Sequence, residues 1–253
     1  MFRKAFVIFL VLFAGCLQSM AADPQGKLQK ANQAYVSEEY AHAIELYESI
    51  IDTGYEAALL YYNLGNAYFR EEKIGKAILN YERAMRLDPK NEDAQFNLRV
   101  ANARIVDQIT PVPVIFYKRW WSSVYNLFST DGWAWASFVL LFFTVTGLAA
   151  FFIFRSVRNK KTALSISLLF FLLTVVSILA ARETYYQRNI LREAIVIVAR
   201  TSVKSSPSQE SLDLFFIHEG TKSQLTRELG EWYEIRLANG NVGWVQKTAI
   251  EAI

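Results

Sequence analysis

Two long uncharged apolar stretches dominate the pattern of hydrophobic and polar positions: Trp133 to Phe154 and Thr162 to Ala181. The first has 22 residues and, as a helix rising about 1.5 Å per residue, covers roughly 33 Å, enough for a bilayer core. Ser129, Thr130 and Asp131 stand before it as helix N-caps, and Trp120, Trp121, Trp133 and Trp135 gather at that end, where indole rings favour the headgroup interface. Ser165, Ser167, Thr174 and Ser177 in the second stretch are placed to hydrogen-bond across a helix pair. The turn between them, residues 156–161 with Arg155 before it, carries four positive charges and no negative one. A membrane hairpin with this turn on the cytoplasmic side follows, the first span over 131–155 and the second over 162–181. Residues 182–193 read as a polar helix continuing outward.

The flanks have different periods. Ahead of the spans, apolar residues recur at helical spacing and the chain repeats itself at an offset of 34, Asn32 matching Asn66 and Asn63 matching Asn97. Ala31 to Tyr35, Tyr40, Ala43, Ile44 and Tyr47 align with Gly65 to Tyr68, Ile74, Ala77, Ile78 and Tyr81. Gly65, Ala77 and Ala84 let helices approach, Tyr68 and Tyr81 fill the space between them, and Asp88-Pro89 ends a helix. A third segment from Glu92, with Ala94, Leu98, Ala101 and Ile105, reads as a single capping helix. The period and these residues resemble the tetratricopeptide repeat family, which implies an all-α solenoid over 22–106. By the same resemblance its inner face is lined by Asn32, Tyr35, Asn63, Asn66, Phe69, Arg70, Asn97 and Arg104 and holds an extended peptide or helix of a protein partner. For each Asn alone, a local turn or plain solvation is the favoured account, and the groove as a whole is the expected working face.

Behind the spans the pattern is short and β-branched: Ala194 to Ala199, Leu214 to Ile217, Trp232 to Leu237 and Val242 to Val245, with Asn239-Gly240 as a hairpin turn. A compact all-β barrel over 194–253 is expected. Glu219-Gly220, Trp232-Tyr233 and Gly243-Trp244-Val245 resemble the bacterial SH3-like family, whose members bind peptidoglycan among other ligands. The resemblance makes Trp232, Tyr233 and Trp244 a candidate ligand face; the other account is that the Trp residues are core. Residues 107–130, with Pro111, Pro113 and a mixture of aromatic and basic side chains, read either as an amphipathic segment on the membrane surface or as extra core beneath the repeats.

The chain has 253 residues, 53% hydrophobic and 15% aromatic, with formal net charge +3. Residues 107–189 hold eight bases against three acids, whereas 22–106 hold ten against thirteen and 190–253 seven against eight. The domains beside the spans are thus mildly acidic, which disfavours nucleic-acid binding. Residues 1–21 read as an export signal: Arg3 and Lys4, the apolar run Phe6 to Phe13, and Ser19-Met20-Ala21 before a cut at Ala22. Cys16, in Phe13-Ala14-Gly15-Cys16, supports lipidation as the competing outcome. Export agrees with the basic turn: a two-pass protein of a bacterial inner membrane, with both flanking domains in the periplasm. One cysteine and two histidines, His42 and His218, argue against a disulfide or zinc framework. No Gly-x-Ser-x-Gly, phosphate loop or metal-ligand cluster is present, so no catalytic residue, metal or cofactor is expected.

The order of signal, repeats, two spans and β domain, with Asp107-Gln108-Ile109 and the Trp120-Trp121 and Trp133-Ala134-Trp135 segments, resembles the BatE family of Bacteroides aerotolerance proteins. That resemblance implies a non-enzymatic scaffold in an oxidative-stress complex with von Willebrand A domain membrane proteins and a MoxR-type ATPase. Cell-wall attachment through the β domain is the alternative.

Overall fold

The computed structural model describes residues 24–187 and 192–253; the expected export signal, Cys16 included, lies outside the described residues. Five helices come first: α1 (Pro24–Val36), α2 (Tyr40–Ile51), α3 (Ala58–Arg70), α4 (Ile74–Leu87) and α5 (Glu92–Asn102). Small residues sit where the helices meet. Ala31, Ala43, Ala67, Ala77, Ala84, Ala94 and Ala101 are fully buried, and Tyr47 and Tyr81 fill the gaps at 1% exposure. Gly65 has to be glycine, because a Cβ there would lie 2.7 Å from the Tyr81 ring. The turns α1–α2 and α3–α4 use the same device, a glutamate in the left-handed region at Glu38 (φ 64°) and Glu72 (φ 58°). Helix α4 stops at Leu87 before Pro89, and Asn91 caps α5 by accepting from the Ala94 amide at 2.9 Å.

The middle of the chain is a helical hairpin preceded by the short α6 (Phe116–Tyr125). Its arms, α7 (Thr130–Ile153, 24 residues) and α8 (Val157–Tyr185, 29 residues), are each long and apolar enough to cross a membrane. Ser129 caps α7 through the Gly132 amide. Hydroxyls tie the arms together: Ser177 donates to the Trp133 carbonyl at 2.9 Å, and Ser167 to that of Thr144 at 2.8 Å. Thr174 bonds within its own helix to Phe170, and Ser165 faces outward. Helix α6 has no buried residue and packs on α8. Its last carbonyl, Tyr125, accepts from both arms, from Trp133 Nε1 at 2.9 Å and Thr184 Oγ1 at 3.2 Å.

Two expectations for this region need correcting. The basic segment 156–161 is helix from Val157 onward, so the turn shrinks to 154–156. No Gly or Pro interrupts 157–161, and continuing the helix satisfies the backbone beside an apolar environment. The polar helix expected over 182–193 runs as α8 to Tyr185 and stays helical to Gln187; residues 188–191 lie outside the described residues, and Glu193 belongs to a strand.

The C-terminal part is a seven-stranded sheet: β1 (Glu193–Val196), β2 (Arg200–Lys204), β3 (Asp213–His218), β4 (Lys222–Leu229), β5 (Trp232–Leu237), β6 (Val242–Gln246) and β7 (Ile250–Ala252). The pairings are antiparallel, in the order β3-β2-β6-β5-β4-β1-β7. The ladder is open, with β3 and β7 as edges, where the sequence suggested a closed barrel. One edge is occupied by the repeats instead. Arg83 and Arg86 of α4 donate to the carbonyls of Ala252 (2.6 Å) and Ile253 (2.5 Å) beside β7.

The sheet and the helical repeats are not independent. Ile195 of β1 is fully buried in the hydrophobic cluster of the repeats, joined at its margin by Ile197 and Ile253. Burying one such side chain contributes roughly 1.5–3 kcal/mol. One face of α4 thus serves as the seam between the two parts.

Candidate functional site

The 34-residue repeat becomes a pair of identical rungs on the inner face of the helices. In the first, the Asn32 side-chain oxygen accepts from Tyr47 Oη at 2.7 Å and from Asn63 Nδ2 at 3.0 Å. In the second, the Asn66 oxygen accepts from Tyr81 Oη at 2.8 Å and from Asn97 Nδ2 at 2.8 Å. The first rung joins α1 to α2 and α3, and the second joins α3 to α4 and α5. Burial pushes the Tyr47 hydroxyl up to about 12 and raises that of Tyr81 further, so both remain proton donors at any physiological pH. The amides expected to meet a partner's backbone therefore use their oxygens inside the protein. Their first role is to fix the register of the helices.

A cavity of about 270 Å³ opens over the second rung. It unites five of the eight expected groove residues, Tyr35, Asn66, Phe69, Arg70 and Asn97. Asn32 and Asn63 form the neighbouring rung outside it. Arg104 is exposed and stacks over the Phe69 ring at 4.4 Å. Arg70 is likewise exposed; its Nε and Nη2 donate to Tyr40 Oη at 3.0 and 2.7 Å, and its guanidinium lies 5.1 Å from the Tyr40 ring. Tyr40 in turn packs edge-on against Tyr35. The groove thus presents aromatic walls with two guanidinium groups held over them.

Tyr62, Val100 and Tyr40 also shape this site and were not among the expected residues. The repeat did carry a signal for Tyr62, since Leu28, Tyr62 and Phe96 stand 34 apart, as do Asn66 and Val100. Tyr40 contributes through its hydroxyl, which apolar periodicity does not register.

Behind the groove, polar contacts fasten the sheet to α4 and to the chain leaving α5. The Gly75 amide, one of the unpaired N–H groups at the start of α4, donates to Glu219 Oε1 at 2.7 Å, a carboxylate at the positive end of a helix. A Cβ at Gly75 would lie 2.8 Å from the Val196 carbonyl, so the approach needs glycine. Lys222 bridges Glu82 of α4 (3.0 Å) and Glu193 of β1 (2.9 Å). Burial alone would lower its pKa, but the two carboxylates outweigh that and raise it. Asp107, just past α5, accepts from the His218 amide (2.6 Å) and Thr221 Oγ1 (2.7 Å) through one oxygen, and sits 2.9 Å from His218 Nδ1 through the other. Burial pushes its carboxyl up, yet the bonds from Thr221 and His218 prevail and hold it below the usual carboxylate value.

The expected ligand face on the sheet divides. Trp232 and Trp244 share one face with Glu234 and Gln246, as the pairs Trp232–Gln246 and Glu234–Trp244 require. Arg227 is ion-paired with Glu234, and its guanidinium lies 5.7 Å from the Trp244 ring. Tyr233 points to the opposite face and packs on the sheet's core.

Residues 58–91, which span α3 and α4 with their turn, match the tetratricopeptide repeat family. A comparison with curated proteins returned no match.

Proposed function

We propose that the chain is a non-enzymatic, membrane-anchored scaffold whose repeat groove holds an acidic segment of a protein partner, with the sheet domain bracing the groove from behind. One observation carries this reading: Arg70 lies exposed at a cavity whose floor, Asn66 with Tyr81 and Asn97, is already internally bonded, and exposed Arg104 stacks on the Phe69 ring of its wall. A floor fixed in this way loses little freedom on binding, and the guanidinium groups offer bidentate recognition of carboxylates. The match to a family of interaction repeats supports a protein ligand. Resemblance to BatE-like aerotolerance proteins supplies the partner class, von Willebrand A domain membrane proteins working with a MoxR-type ATPase, and the basic segment 155–161 supports a topology with both domains in the periplasm. The test is co-purification from detergent-solubilised native membrane with the wild-type chain and an R70E/R104E variant. Loss of the partner at unchanged melting temperature is expected; equal recovery would remove the groove from the account.

A second reading, cell-wall attachment by the SH3-like sheet, rests on Trp232 and Trp244 sharing one half-exposed face. Sedimentation of the whole chain with purified sacculi, compared with a W232A/W244A variant, separates it from the first. Because Ile195 belongs to the core of the repeats, the sheet has to be tested within the full chain.

A further inference from the structure

The arms of the helical hairpin stay in contact along their length. At the end away from the basic turn Ser177 and Ala180 are fully buried, and Ser137 and Ser177 bond to each other at 3.0 Å. Toward the basic turn Ser167 reaches the Thr144 carbonyl and Phe143 stacks on Phe170, and beside this seam runs a groove of about 330 Å³. From α7 it takes Phe143, Gly147 and Ala150, and from α8 Asn159, Ala163 and Phe170. From 159 to 170, at about 1.5 Å per residue, it runs roughly 16 Å, the depth of one leaflet of hydrocarbon about 30 Å thick.

The chemistry of the groove changes along its length. Its deep part is phenyl rings and small aliphatic side chains. Its mouth has Asn159 and Thr162, set among Arg155, Arg158, Lys160 and Lys161 with no acidic residue in that segment. Because α8 begins at Val157, Arg158 and Lys160 sit on its first turn, on either side of Asn159 at the mouth. Lys160 reaches back over the Phe151 ring at 5.7 Å, toward α7. Cations on the first turn of a helix are disfavoured by its dipole, so their cluster here gains from an anion nearby.

We propose that this groove is a binding site for one anionic phospholipid of the leaflet adjoining the basic turn, an acyl chain lying along Gly147, Ala150 and Ile166 and the phosphate resting among Arg155, Arg158 and Lys160. An apolar slot one leaflet deep, ending in clustered cations, is complementary to an anionic lipid along its whole length; a soluble anion would leave the slot unfilled. A bound lipid would fill the groove that the two packed arms leave along their seam. The proposal rests on the membrane-anchored reading above.

The experiment uses the full chain in nanodiscs of phosphatidylcholine with a minor share of phosphatidylglycerol, followed by native mass spectrometry of the released protein. The wild type is expected to retain one phosphatidylglycerol in preference to phosphatidylcholine, and glycerophosphate should not displace it. An R155Q/R158Q variant should lose the preference by roughly fivefold per charge, the ratio for a cation at an anionic surface. Ala150→Phe, which fills the slot with the cations intact, should retain neither lipid. The charge variant leaves helix packing untouched and keeps the test decisive if Ala150→Phe fails to assemble. Equal retention of both lipids by the wild type, or phosphatidylglycerol held by Ala150→Phe, overturns the site while leaving the anchor standing. A chain that does not enter the nanodisc overturns the anchor and the site together.

Discussion

Asp107→Ala is the sharpest perturbation of the seam between repeats and sheet. The Asp107 side chain is 17% exposed and serves the His218 amide, the His218 ring and the Thr221 hydroxyl, and Thr221 is 1% exposed. Hydrogen bonds to a charged group contribute about 1.5–3 kcal/mol each, and removing one partner leaves the others buried and unpaired. The three share one carboxylate and are not additive, so about 3–5 kcal/mol is the expected loss of docking. The damage concentrates on the turn between β3 and β4, where Gly220 (φ 85°) admits Ile78 of α4; a Cβ there would stand 3.0 Å from Ile78 Cδ1. Hydrogen exchange in detergent reads it: the His218 amide should exchange roughly 150- to 5,000-fold faster in Asp107→Ala, with the strand amides of β5 much less affected. The pH dependence has a definite sign. Because the folded carboxyl is held below its ordinary value of about 3.9, its contribution is complete above that pH and fades as the pH drops through the folded value. Protection of His218 should therefore be insensitive to Asp107 ionisation between about pH 5 and 8 and fall in stronger acid. Unchanged exchange and melting in Asp107→Ala would refute the seam as described.

Gly75→Ala sets helix propensity, which favours alanine by about 1 kcal/mol, against a Cβ 2.5 Å from Glu219 Cγ and 2.8 Å from the Val196 carbonyl. Contact with the backbone decides the sign, and calorimetry should show a net destabilisation of about 1–3 kcal/mol; a stabilised variant would contradict the seam. Asn66→Ala removes the acceptor shared by Tyr81 and Asn97, leaving the buried Tyr81 hydroxyl unpaired, and should cost about 1–3 kcal/mol by thermal melting. Ser177→Ala loses the bonds to Ser137 and the Trp133 carbonyl and should weaken the hairpin by only about 0.6–1.7 kcal/mol, measured by steric trapping in bicelles.

The elements legible in the sequence are those with a local period. The two apolar arms follow from their length, and the repeat helices from the recurrence of Asn32, Tyr47 and Asn63 at Asn66, Tyr81 and Asn97. The strands missed lack that signature. Arg200 to Lys204 is mostly polar, Lys222 to Leu229 carries a bulge between Leu225 and Arg227 that breaks alternation, and Ile250 to Ala252 has three residues. The seam was hidden for another reason: its contacts join residues as far apart as Asp107 and His218 or Arg83 and Glu251, and no periodicity encodes such pairs. One trace of it was present. Ala194-Ile195-Val196-Ile197-Val198 is apolar without alternation, the pattern of a strand buried on both faces, and its second face meets the repeats. The rungs show the same limit. Spacing located the asparagines, but only the folded helices show that their oxygens are taken by Tyr47 and Tyr81.

The groove as working face is tested most directly by a photo-crosslinking residue at Val100, inside the cavity, compared with the same residue at Glu45 on exposed α2, in the native membrane. One discrete adduct is expected from position 100, none from position 45, and none from position 100 when Arg70 and Arg104 are both changed to Glu. An adduct of equal yield from both positions, or one indifferent to the two arginines, would contradict the groove as working face.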